Sequence, residues 1–156
     1  TNNIKAIMAR LTMQTIGHDK INQLRHARAF KDMKALNEHM QRHAEILRPK
    51  FEAVLDILSK ELGELNIASW NKPRGGYFIS LDVEVGSAKY VGKLCKDAGL
   101  VLTTVGATFP YGVDPEDKNI RIAPTFPPVD ELKICCSLLC CCVKLAAARE
   151  LLGKTE

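Results

Sequence analysis

The chain has 156 residues, of which 46% are hydrophobic, 26% charged and 6% aromatic, a balance that excludes a disordered tail or a collagen-like repeat and leaves room for a core without disulfides. Its longest apolar run, Ile134 to Val143, is bracketed by Lys133 and Lys144 and falls short of the roughly 18 residues a bilayer span needs. The net charge of +4 divides into +5 over residues 1–60 and −1 over residues 61–156. In the basic half Lys and Arg alternate with acids, and the nearby aromatics are Phe30 and Phe51. A solvated helix face is expected there, and no nucleic-acid or membrane partner. The first residue is Thr1 and no basic segment leads into an apolar one, so the expectation is a processed chain or a piece of a longer one.

In chain order, Asn2 and Asn3 stand where they could cap a helix through Ile4, Ile7, Met8 and Leu11, with Gly17 as its interruption. A second short helix is predicted over Lys20 to Phe30. From about Met33 to Leu62 the apolar positions Leu36, Met40, Ala44, Leu47, Phe51, Val54, Leu55, Leu58 and Leu62 keep one face, with Gly63 as the stop. Pro49 falls inside this long helix and predicts a bend, not a break. After Gly63 the period changes to two: Tyr77, Ile79, Leu81 and Val83 alternate with Phe78, Ser80 and Asp82, which reads as a strand. Ser87 is placed to cap a helix ended by Gly99. Leu100 to Val105 and Asn119 to Ala123 read as two further strands, separated by a loop rich in Pro and Gly. Pro127 and Pro128 open the last helix, with Asp130 and Glu131 at the positive end of its dipole. Its apolar middle predicts burial between layers.

Five of the six cysteines, Cys135, Cys136, Cys140, Cys141 and Cys142, crowd into that helix, and Cys95 stands alone. Neighbours on one helix do not meet disulfide geometry, and no second ligand pair suggests a metal, so small buried thiols in a reducing cytoplasm are expected. His39 and His43 are four apart on one helix, the spacing of a shared metal, but without a third ligand they read as a polar face. No G-x-S-x-G elbow, no Walker motif and no G-x-G-x-x-G follows a strand.

Two features remain as chemistry. Arg121 stands in a predicted strand between Ile120 and Ile122, where a fixed guanidinium can grip a carboxylate through two parallel hydrogen bonds. The competing reading is a surface arginine paired with Asp117 or Glu116. The segment "WNKPRGG", Trp70 to Gly76, is either a tight turn into the next strand or a place where backbone approaches a ligand.

Taken in order, "PRGGYFISLDV", "AGLVLTTVGATFPYG", "NIRIAPTFP" and "VDELKICCSLLCCCVKLAAARELL" resemble the C-terminal part of class I pyridoxal-phosphate-dependent aminotransferases of fold type I. At the front, "IMARLTMQTIGHDKINQLRHARAFKD" and "HMQRHAEILRPKFEAVLDIL" are similar to a bacterial aspartate-aminotransferase-like subgroup.

The resemblance implies an α/β fold divided into the end of a large cofactor domain (1–32), a long linking helix (33–63) and a small C-terminal α/β domain (64–156). It assigns Arg121 to the substrate's α-carboxylate and places Asn119 and Phe109 around the pocket. Gln14 and Thr15 of "MQTIG" fall where family members pass a loop toward the neighbouring subunit's cofactor. Arg25 and Arg28 are candidates for a second substrate carboxylate, without a counterpart in the family's motifs. The implied cofactor is pyridoxal 5'-phosphate, the substrates an amino acid, of the aspartate type, and a 2-oxo acid, and the assembly a homodimer. Aminotransfer also needs a lysine that condenses with the cofactor aldehyde and a carboxylate at its pyridine nitrogen. In the family both lie upstream of this chain's first residue, so the chain alone is expected to be inactive. The alternative is a non-catalytic interaction or dimerisation module derived from the same fold.

Overall fold

The computed structural model describes residues 2–15, 17 and 19–153. Two compact units divide between Ala44 and Glu45, inside the long helix. The first unit holds α1 (Asn2–Leu11), α2 (Lys20–Ala29) and the start of α3 (Met33–Leu62). Neither α1 nor α2 buries a residue. Asn2 and Asn3 already have helical backbone, so they occupy the first turn and are not caps, since a cap residue is extended. The caps that do form are aspartates: Asp19 Oδ1 accepts the Asn22 amide at 2.9 Å, and Asp32 Oδ1 accepts the Ala35 amide at 2.8 Å. Phe30, His39 and His43 form a ladder of rings, with centroids 4.9 Å and 4.5 Å apart. Among the described residues no group of three or more metal-type ligands forms.

Helix α3 runs unbroken through Pro49. Its second part enters the core of the other unit with Val54, Leu58 and Leu62. That unit adds β1 (Ala68–Trp70), β2 (Ile79–Val83), α4 (Ala88–Asp97), β3 (Asn119–Ile122) and α5 (Val129–Gly153). The strands form one antiparallel sheet in the order β1-β2-β3, with Trp70 opposite Leu81 and Leu81 opposite Ile120. Alternation sorts the faces. Ile79, Leu81, Val83, Ile120 and Ile122 turn into a core shared with α3, α4 and α5. Ser80, Asp82, Asn119 and Arg121 occupy the opposite face.

Several expectations need correction. Leu100 to Val105 is not a strand. Gly99, at φ +89°, turns the chain out of α4, and the Leu100 amide goes back to the Cys95 carbonyl at 2.8 Å, leaving Val101 85% exposed. The strand predicted from Tyr77 begins two residues later, and the short β1 carries no periodic signal of its own. Ser87 precedes α4, but its hydroxyl donates to the Glu84 carbonyl; the helix start is held by Asp117, whose Oδ1 accepts the Lys89 amide at 3.2 Å and whose carbonyl accepts the Ala88 amide at 2.8 Å. Helix α5 begins at Val129, just past the prolines. It is buried on one side only: Leu132, Cys136, Leu139, Cys140 and Val143 enter the core, whereas Ile134 is 72% and Leu145 54% exposed. Among the described residues no helix is long and apolar enough to cross a membrane.

Candidate functional site

The site is built on the polar face of the sheet, where antiparallel register sets Ser80 opposite Arg121 and Asp82 opposite Asn119. The delivery of β3 to this face begins at Asp114, a buried carboxylate. Its Oδ1 accepts the Glu116 amide at 3.1 Å, and its Oδ2 accepts the amides of Lys118 and Asn119 at 2.9 and 2.8 Å. Burial acts to raise its pKa, and the three amides together with the Lys118 charge outweigh burial and hold the carboxyl below its ordinary 3.8. The same turn keeps Asp117 at φ 46°, a costly backbone for a non-glycine residue, and ties it to the start of α4.

The loop before it is closed by glycine. Gly106 has φ +89°, and a Cβ there would run into the Gly112 carbonyl, so the chain crosses itself where only glycine fits. Within this loop the Thr108 hydroxyl donates to Asn119 Oδ1 at 2.9 Å, and half-buried Phe109 follows it.

Asn119 is nearly buried and fully engaged. Its Nδ2 donates to Ser80 Oγ at 2.8 Å and to Asp82 Oδ1 at 2.6 Å, while its Oδ1 accepts from Thr108. Arg121 is the opposite case. Its guanidinium lies over the Phe78 ring, 4.5 Å from the centroid, and its Nε is buried without a hydrogen-bond partner among the described residues. The alternative of a surface pair fails on the partners' own contacts: Glu116 pairs with Lys118 at 2.5 Å and Asp117 with Lys89 at 3.9 Å. A buried charged donor without a partner is costly, so an incoming oxyanion is the species this atom suits.

"WNKPRGG" is the connection between β1 and β2. Asn71 extends their pairing, its amide donating to the Ser80 carbonyl at 3.1 Å and its Oδ1 accepting the Ser80 amide at 2.8 Å, and Gly76 turns at φ +88°. Its continuation supplies Phe78, which periodicity assigned to a strand and not to the site. Gln14 and Thr15 belong to the other unit. The Thr15 hydroxyl donates to the Gly17 carbonyl at 3.0 Å and accepts the Gly17 amide at 3.3 Å, a local turn, whereas Gln14 is exposed.

Across residues 1–155 the sequence matches the family model described as "Aspartate amino-transferase". The chain belongs to the aspartate aminotransferase family. An aspartate aminotransferase of Corynebacterium glutamicum is 50% identical over 133 residues, 85% of this chain and 31% of its own length. A solved aspartate transaminase from the same organism superposes with a TM-score of 0.83 at 46% identity, covering 95% of this chain and 35% of that one. The multiple substrate aminotransferase of Thermococcus profundus shares the fold at 21% identity, with a TM-score of 0.63 over 73% of this chain and 28% of its own. The chain thus spans about a third of the length of the aminotransferases it matches.

The family implies pyridoxal phosphate. The groups gathered on the polar face are a guanidinium, an amide, the Ser80 and Thr108 hydroxyls and a hydrogen-bonded carboxylate. None is an amine able to condense with an aldehyde. This face offers donors to an anion and no amine for covalent attachment of that cofactor.

Proposed function

We propose that the full-length protein is an aminotransferase of the aspartate type, exchanging an amino group between an amino acid and a 2-oxo acid, and that Arg121 binds the carboxylate shared by both. The observation that carries this reading is the buried Nε of Arg121, without a partner among the described residues, on a sheet face where Ser80, Asp82 and Asn119 are already paired. Phe78 lies under the guanidinium and takes none of its N–H groups, which suit one carboxylate through two parallel hydrogen bonds. Asn119 and Phe109 border the bound substrate, Asn119 with both of its amide N–H groups already spent within the protein.

Pyridoxal phosphate, when bound, supplies the electron sink that aminotransfer requires. Gln14 and Thr15 are the residues of this chain offered to the cofactor, across a homodimer in the cytoplasm. With the Thr15 hydroxyl committed to Gly17, the Gln14 amide is the stronger of the two. In the intact enzyme residues 1–32 close the large domain, 33–63 link and 64–156 form the small domain. The condensing lysine lies outside this chain, which by itself does not transaminate.

The test is Arg121→Ala in the full-length enzyme. Loss of a charge-assisted bidentate contact costs about 1.5–3 kcal/mol, so KM for aspartate rises roughly 10- to 150-fold. An unchanged KM removes Arg121 from the substrate.

A further inference from the structure

The polar face carries a carboxylate, Asp82, on the strand that faces Arg121. Ser80 faces Arg121 and Asp82 faces Asn119, so two diagonals cross this patch: Asn119 with Ser80, and Arg121 with Asp82. Diagonal neighbours on one face stand about 7–8 Å apart, within reach of a long side chain. The first diagonal is made, at 2.8 Å. The second joins an arginine to an aspartate, the pair with the stronger attraction, yet among the described residues Arg121 has no carboxylate partner. Asp82 Oδ1 instead accepts Asn119 Nδ2 at 2.6 Å. Asn119 is itself held in place: its amide oxygen accepts from Thr108 and its backbone amide donates to Asp114. The Lys118 ammonium, paired to Glu116, adds a positive charge near Asp82.

We infer that Asn119 is a positioning residue that restrains Asp82, so that Arg121 stays available to the substrate carboxylate. Asn119 spends both amide N–H groups within the protein and has none left to donate to a ligand; it acts on binding through Asp82. Without it Asp82 turns along the open diagonal, pairs with Arg121 and competes with the substrate. The inference rests on the carboxylate-binding role proposed for Arg121.

The experiment measures KM and kcat for aspartate in the full-length enzyme for Asn119→Ala, Asp82→Asn, the double variant and Arg121→Ala. Asn119→Ala is expected to raise KM about ten-fold, the effect of a competing ion pair of about 1.4 kcal/mol, with kcat little changed. Asp82→Asn in the same chain is expected to restore KM, since a neutral amide does not compete for the guanidinium. A structural or direct-ligand role for Asn119 predicts no such rescue, and a double variant as impaired as Asn119→Ala overturns the inference. If Arg121→Ala raises KM and Asn119→Ala does not, the restraint of Asp82 is wrong and the clamp stands. If neither variant moves KM, both are wrong.

Discussion

The Arg121 guanidinium stacks on Phe78 at 4.5 Å, and this contact joins the last residue before β2 to the middle of β3. The ring gives the charge a surface without offering it a hydrogen bond, so the guanidinium is oriented while its donors stay open. A partly exposed cation–π contact contributes about 0.5–1 kcal/mol. Phe78→Ala in the full-length enzyme should therefore raise KM for a carboxylate substrate roughly two- to five-fold, whereas Phe78→Tyr, which keeps a π face, should not. Steady-state kinetics on both variants decides it.

Asp114 gives the site a pH limit. Its carboxyl is held below 3.8 in the folded chain, so the folded state prefers the charged form. The resulting stabilisation is complete above the unfolded value and is lost as pH falls through the lower folded value. Asp114→Asn removes the charge and leaves one accepting oxygen where three amides need two, and should lower the urea midpoint at neutral pH. The gap between the two proteins should narrow as pH falls below the unfolded value of about 3.8 and close once pH passes the lower folded value, where the folded parent carboxyl also takes up a proton. Trp70, the single tryptophan, lies half-buried in β1 and reports the transition by fluorescence.

Much of this architecture is legible in the residues. The long apolar face from Met33 to Leu62 defines α3 because a 3.6-residue period over so many turns has no competing interpretation. Arg121 stands out as a charge between two β-branched residues of a strand. What escaped the sequence is set by tertiary contact. Leu100 to Val105 has strand-like residues, but the turn at Gly99 spends the Leu100 amide on α4 and no neighbouring strand lies there. Asp117 caps α4 from a position 28 residues away, beyond any local capping pattern. Asp114 looks like one more turn aspartate until its three amides are seen together. Phe78 was a strand residue by period, and its partner became visible only through the β2–β3 register.

The core of the unit from Glu45 rests on α3 as much as on the sheet. Leu58 is fully buried there, in a core cluster that also holds residues of the strands and α5. Leu58→Ala leaves a cavity and should cost roughly 2–5 kcal/mol. Ile46→Ala, on the exposed side of the same helix, should stay within about 0.5 kcal/mol of the parent. Urea titrations followed at Trp70 compare the two. Equal effects would mean that the apolar face of α3 is not what the sheet packs on.

The cysteines of α5 divide by what surrounds them, although they share eight residues of sequence. Cys95 is buried and pushed up to about 12, by burial first and then by neighbouring Cys142. The neighbouring Cys140 thiol and burial push Cys136 up, while its own thiol donates to the Val54 carbonyl at 3.7 Å, and proximity to Cys136 pulls Cys140 down. A lowered pKa does not make Cys140 reactive, because it is almost wholly enclosed and alkylation needs an accessible thiolate. Cys141 is the exposed one, and Cys135 is half-buried. Iodoacetamide at mildly alkaline pH should therefore modify Cys141 first and Cys135 more slowly. Cys95, Cys136, Cys140 and Cys142 should react only once urea opens the core. Peptide mapping by mass spectrometry gives the order. In Cys141→Ser the fast phase should vanish with the rest unchanged; a fast phase that persists would mean that α5 exposes a different face from the one described.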